Sequence, residues 1–193
     1  MYTLGIHGGI NTANNFRVAT PVNWLHDAAA VLCRDGEIVA AAEEERFLRI
    51  KHATHFPVNA TRFCLDSQGI TLEQVQKIVL TSEHMDQFVD VTNKWRYDGT
   101  AAWRRPQTYT AVATGIFSEE FGVPDLGHKL SCAGHHLSHA LSAVCLSGFE
   151  DCLCVVMDAW GDGLTGLILS CHGGRLEELR RLEKLGPAGI YLF

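Results

Sequence analysis

No stretch of the 193-residue chain holds the ~20 consecutive apolar residues that a membrane-spanning helix needs. Met1–His7 is short and apolar, with no basic segment before it and no small-residue cleavage site after it, so it does not read as a secretory signal. An excess of positive charge is also missing. The formal net charge is −6, which argues against binding nucleic acid through its phosphates. A cysteine framework is missing too. Cys33, Cys64, Cys132, Cys145, Cys152, Cys154 and Cys171 are odd in number and sit mostly in apolar stretches. They read as reduced, buried thiols of a cytoplasmic protein. Cys152-x-Cys154 has no second pair to complete a zinc site.

What is present is enough to build a core. Hydrophobic residues make up 47% and charged residues 20%, which excludes a disordered chain. The length fits one domain or two small ones. A single domain of ~150 residues buries ~70% of its unfolded surface.

Turn and periodicity signals give the order of elements. Tyr2–His7 reads as a strand that ends at Gly8-Gly9, followed by a Gly-, Asn-, Thr- and Pro-rich loop over 8–22. Two small-apolar runs, Asp27–Arg34 and Glu37–Glu43, flank Asp35-Gly36, a strong hairpin signal. Residues 44–56 read as irregular or as one helical turn. Pro57 opens a helix whose apolar side is Val58, Phe63, Cys64 and Leu65, and Gly69 stops it. Thr71-x-x-Gln74 is a small capping box before a short strand, Lys77–Thr81. Residues 83–122 read as mostly helical. Their interruption carries Lys94, Trp95, Arg96, Tyr97, Trp103, Arg104 and Arg105. Such a mixture can stack on a polar ligand or nucleic acid, but a solvated loop with aromatic anchors is preferred.

Lys129–Ala133 then reads as a strand and His135–Leu146 as a helix. Cys152–Asp158 is a near-continuous apolar strand, expected to be central and buried on both faces. Leu164–Cys171 and Arg175–Leu182 are further strands. The order predicts an α/β protein with a mixed sheet and helices on its faces. The first half spans 1–150. A second half starts at 151 and is incomplete by 193, where Ile190–Phe193 reads as the start of buried structure.

Gly134-His135-His136-Leu137-Ser138-His139 is the sharpest chemical signal. Helical residues four apart share a face, so His135 and His139 can hold one metal ion; His136 and His139 are a second possible pair. The spacing is that of His-Glu-x-x-His, but position 136 is His. The base of a metalloprotease is absent there, and that class is excluded. Asp158 closes an apolar strand, where open α/β sheets bind ligands. Two histidines and a carboxylate suit iron(II) or zinc. Gly161, Asp162 and Gly163 follow, and their backbone can approach a phosphate closely. Alone they would be a hairpin turn. Glu43-Glu44-Glu45-Arg46, with Arg49, Lys51 and His52, can neutralise a phosphate or acyl phosphate. A salt-bridged surface turn explains the same residues equally.

Taken in order, His26-Asp27-Ala28-Ala29-Ala30, Asp35–Phe47, Arg49-Ile50-Lys51-His52, His135-His136-Leu137-Ser138-His139-Ala140 and the strand ending at Asp158 resemble the nodulation-factor and antibiotic O-carbamoyltransferase family. The resemblance spans nearly all of residues 2–185. It implies an actin/sugar-kinase-like, ribonuclease H-like fold and an enzyme when complete. Such enzymes form a carbamoyl-adenylate from carbamoyl phosphate and ATP. They pass the carbamoyl group to a hydroxyl of a sugar or natural product. Carried over by motif, His135, His139 and Asp158 resemble Fe(II) ligands that hold the nucleotide phosphate, with zinc as the alternative metal. His26 and Lys51 resemble active-site residues near the carbamoyl-adenylate. The family's fourth ligand and its carbamoyl-phosphate domain correspond to sequence beyond residue 193. The expected partners are therefore small molecules and a C-terminal region or complementary chain, with no nucleic acid and no membrane. A protein resembling the tRNA threonylcarbamoyl-transfer family is the alternative enzyme, and a catalytically incompetent half-site is the other alternative.

Overall fold

The computed structural model describes residues 1–10, 12, 26–83, 89 and 108–183. These residues fall into two compact units: 1–81 with 108–132, and 82–83 with 133–183. The sequence reading divides the chain at residue 150, whereas the compact units divide between Cys132 and Ala133.

The first unit is built on strands β1 (Tyr2–His7), β2 (Ala29–Arg34), β3 (Glu37–Glu43), β4 (Lys77–Thr81) and β5 (Leu130–Ala133), whose last residue falls to the second unit, in the order β3-β2-β1-β4-β5. β1 runs antiparallel to β2 and parallel to β4, so the sheet is mixed. Register sets its buried face. Leu4 lies opposite Leu32 and beside Ile78, and Ile6 lies opposite Ala30 and beside Leu80. All six are fully buried. Side chains alternate along a strand, so these residues share one face. The β2–β3 turn uses Asp35 and Gly36 at φ 53° and 92°, both left-handed, as a two-residue hairpin with the sheet's own twist requires.

Two of its helices, Val58–Gln68 and Tyr109–Phe121, supply much of the rest of this core. Helix α1 (Glu45–Leu48) is a single turn, and α2 (Val58–Gln68) follows Pro57 and ends on left-handed Gly69. Helix α3 (Tyr109–Phe121) starts at Thr108, whose hydroxyl accepts from Ala111 N at 3.2 Å, and ends on Gly122. Val58, Cys64 and Leu65 of α2 and Val112, Ile116 and Phe117 of α3 join Leu4 and Ile6 in one cluster. Phe63 does not: it stays 47% exposed beside Phe47, while Ala60 and Thr61 are buried. Val58, Thr61 and Leu65 follow the i, i+3, i+7 spacing of one helix face, and Phe63 lies off it.

The second unit has helix α4 (His135–Ser147) and an antiparallel sheet of β6 (Cys152–Gly161), β7 (Leu164–His172) and β8 (Arg175–Glu183). Ala140 and Val144 of α4 pack on Cys154, Val156, Leu167 and Leu169. The expectation that β6 is buried on both faces is not met. Leu153, Val155 and Met157, on its other face, are 64%, 51% and 61% exposed. The cause is that α4 covers only the side of β6 that carries Cys154 and Val156. The mixed α/β class expected from the sequence is the one observed. The basic and aromatic cluster of residues 94–105, much of the loop after Gly9 and the segment 184–193 lie outside the described residues.

Candidate metal centre

His135 opens α4 directly after β5. Its backbone N–H would have no partner within the helix. Asp162, in the β6–β7 turn, supplies one: its Oδ2 accepts from His135 N at 2.7 Å and from Glu83 N at 3.0 Å. Its Oδ1 accepts from Ser82 Oγ at 2.5 Å. A carboxylate at a helix N-terminus also complements the helix dipole. Gly161 shapes the site by having no side chain. A Cβ there would lie 2.1 Å from His135 Cδ2. The turn therefore acts locally on α4. Asp162 anchors the first turn of the helix, and Gly161 lets the His135 ring lie against the strand.

One helical turn later His139 returns to the same face. The two Nε2 atoms lie 3.2 Å apart, and His135 Nε2 lies 2.6 Å from Asp158 Oδ2. Three donor atoms from α4 and β6 therefore converge. Donors bound to one ion at ~2.0–2.2 Å stand roughly 3 Å apart, so this spacing fits a shared metal. Two imidazole nitrogens facing each other cannot both donate a proton. Partial burial, then His135, holds His139 below the ordinary histidine value. That favours the neutral ring whose lone pair binds metal. The sequence also offered His136 with His139, but His136 belongs to no such trio among the described residues. It is buried, and neither ring nitrogen has a hydrogen-bond partner there.

His26 and Lys51 lie in the first unit. Lys51 Nζ donates to Glu45 Oε1 at 2.8 Å, and His26 Nδ1 lies 2.5 Å from Asp27 Oδ2. The acidic run divides its labour. Glu43 pairs with Arg46, Glu45 with Lys51, and Glu44 is buried against the N-terminus of α2. Its carboxylate accepts from Asn59 N, Asn59 Nδ2 and Ala60 N at 3.2, 2.7 and 2.8 Å. Sequence reasoning passed over Ser82 and the anchoring use of Asp162. A lone Asp between glycines looks like any turn, and only the fold aims it at a helix 27 residues upstream.

A model of the carbamoyltransferase N-terminus matches residues 19–180. The chain belongs to that family. Among its relatives is nodulation protein NolNO of Sinorhizobium fredii (strain NBRC 101917 / NGR234), 31% identical over 190 residues, which are 98% of this chain and 28% of that protein. An uncharacterized protein of Synechocystis (strain ATCC 27184 / PCC 6803 / Kazusa), sll1178, is 32% identical over 79% of this chain and 27% of its own length. An uncharacterized 19.2 kDa protein of Rhizobium etli is 37% identical over 40% of this chain and 46% of its own length. The chain thus spans about a quarter of the length of NolNO and of the Synechocystis protein. Solved structures give weaker likenesses. YeaZ from Pseudomonas aeruginosa has a TM-score of 0.45 at 12% identity, over 95% of this chain and 68% of that one. The Aquifex aeolicus PPX-GPPA enzyme has 0.39 at 13%, over 96% and 54%.

Proposed function

We propose that the chain is the N-terminal portion of an O-carbamoyltransferase with an actin-like ATPase-type fold. It forms a carbamoyl-adenylate from carbamoyl phosphate and ATP, then transfers the carbamoyl group to a hydroxyl of a sugar or natural product. The observation that carries the reading is the convergence of His135, His139 and Asp158 in a member of this family. Those three side chains are the proposed ligands of Fe(II), with zinc as the alternative. When bound, the ion supplies positive charge for the nucleotide phosphates. Asp162 and Gly161 keep His135 in place, through its N–H and the space beside its ring.

The transfer step assigns work to the first unit. The acceptor oxygen attacks the carbamoyl carbon, the mixed-anhydride C–O bond breaks and AMP leaves. His26 takes the proton of the attacking hydroxyl. Lys51 stabilises the charge that develops on the acyl adenylate. Because the chain covers about a quarter of NolNO, turnover is expected only with the polypeptide that completes it.

Adenylate formation breaks the carbamoyl–phosphate bond with water, releasing inorganic phosphate, and the freed carbamate oxygen displaces pyrophosphate from ATP, so the reaction can be tested before the acceptor is known. The full-length protein should release pyrophosphate from ATP only when carbamoyl phosphate is present. The His139→Ala variant, which lacks a proposed ligand of the ion that serves the nucleotide phosphates, should lose most of that rate. Release that does not depend on carbamoyl phosphate, or none in the full-length protein, overturns the reading.

A further inference from the structure

A single carboxylate in the first unit bridges two imidazoles. Asp27 Oδ2 lies 2.5 Å from His26 Nδ1, and Asp27 Oδ1 lies 2.8 Å from His52 Nδ1. The two rings stand edge-on, with centroids 6.2 Å apart. An ionised carboxylate only accepts hydrogen bonds, so each Nδ1 donates and carries a proton. In each neutral ring the lone pair then sits on Nε2.

The backbone is bent to make this arrangement. Asp27 and His52 have φ of 62° and 53°, a left-handed conformation uncommon outside glycine. Both segments are held independently of the bridge. Ala28 N donates to Ala53 O at 2.9 Å, and Glu44 N donates to Ala28 O at 2.7 Å. His52 N donates to Glu45 Oε2 at 3.1 Å. His7 Nε2 donates to the backbone oxygen of His26 at 3.0 Å. The titratable groups around the bridge, among the described residues, are therefore His7, Glu45, Lys51 and the trio itself.

We propose that Asp27 is a positioning residue that fixes His26 as the Nδ1–H tautomer, presenting the Nε2 lone pair to the acceptor hydroxyl, and that His52 secures the second oxygen of Asp27. This rests on the reading of His26 as the base. The proton of the acceptor O–H passes to Nε2 as the new C–O bond forms and AMP departs. The resulting imidazolium is then paired with the Asp27 carboxylate, the arrangement that orients a histidine base in hydrolase triads. The two histidine hydrogen bonds also hold the Asp27 carboxyl below its ordinary value. It therefore stays ionised wherever the base is in use.

Nitrogen-detected NMR of the histidine rings tests this on residues 1–193 at pH 8. His26 is expected in the Nδ1–H form, and Asp27→Asn should move most of its population to Nε2–H. Asp27→Glu, which keeps the carboxylate, should retain the wild-type form, and the amide spectrum reports folding for each variant. His26 in the Nε2–H form in the wild type, or a tautomer unchanged by Asp27→Asn, overturns the proposal. So does a shift of the His26 and His52 signals by one equivalent of Zn²⁺ in the His135→Ala/His139→Ala chain, because the trio would then be a metal site. The base reading has a separate test. Carbamoyl transfer by the full-length protein that is unchanged in His26→Ala overturns that reading without touching the tautomer.

Discussion

Gly161 is a glycine because the ring of His135 occupies the place of its side chain. Gly161→Ala should push the ring away and weaken metal binding by about 10- to 100-fold, the usual cost of disturbing a ligand's support. Calorimetric titration with Fe(II) or Zn²⁺ checks this, and an unchanged affinity contradicts it. His136 gives a second prediction. Burial, then His135, holds its imidazole below the ordinary histidine value. His55 is lowered as well, chiefly by burial. Each group is neutral in the fold but takes a proton in the unfolded chain below about pH 6.5. Stability is therefore highest above that pH and falls as pH drops toward the lowered folded values. Urea unfolding between pH 7.5 and 5.5 should show this fall, and His136→Leu should make it shallower. An unchanged slope would contradict the account. The shared face of His135 and His139 was legible as spacing, since i and i+4 on a helix lie together whatever surrounds them. The role of Asp162 was not, because it depends on which helix the turn meets.

Glu44 decides how α2 begins. Its buried carboxylate satisfies two backbone N–H groups and the Asn59 amide at the helix start. Glu44→Gln sets an NH₂ group against one of those donors. It should cost about 1–3 kcal/mol in chemical denaturation, the range for spoiling a buried charge-assisted bond. A cost near zero would mean that the helix start is held otherwise. In the sequence Glu44 is one of three consecutive glutamates, and alternation with β3 does not separate the fully buried one from its neighbours. The hairpin at Asp35-Gly36 and the stop at Gly69 were legible, because both need backbone conformations that few residues adopt. The placement of β6 was not. An apolar run says that a strand prefers burial but not how many layers cover it. Leu153, Val155 and Met157 have no cover among the described residues. Val155→Thr should therefore change the stability of residues 1–193 by less than about 0.5 kcal/mol. A loss of several kcal/mol would show that this face is buried in solution.

At the scale of the molecule, two units divide the proposed work. The second holds the three candidate ligands, and the first holds His26 and Lys51. Family membership was legible because separate motifs recur in order along the chain. The acceptor was not, because no residue pattern in the chain marks a pocket for it. The most direct measurement is a titration of residues 1–193 with Fe(II) under anaerobic conditions, followed by metal analysis after desalting. The account predicts one ion per chain in the wild type and none retained by His139→Ala or Asp158→Ala. Equal retention in wild type and both variants, or no binding by the wild type, would contradict it.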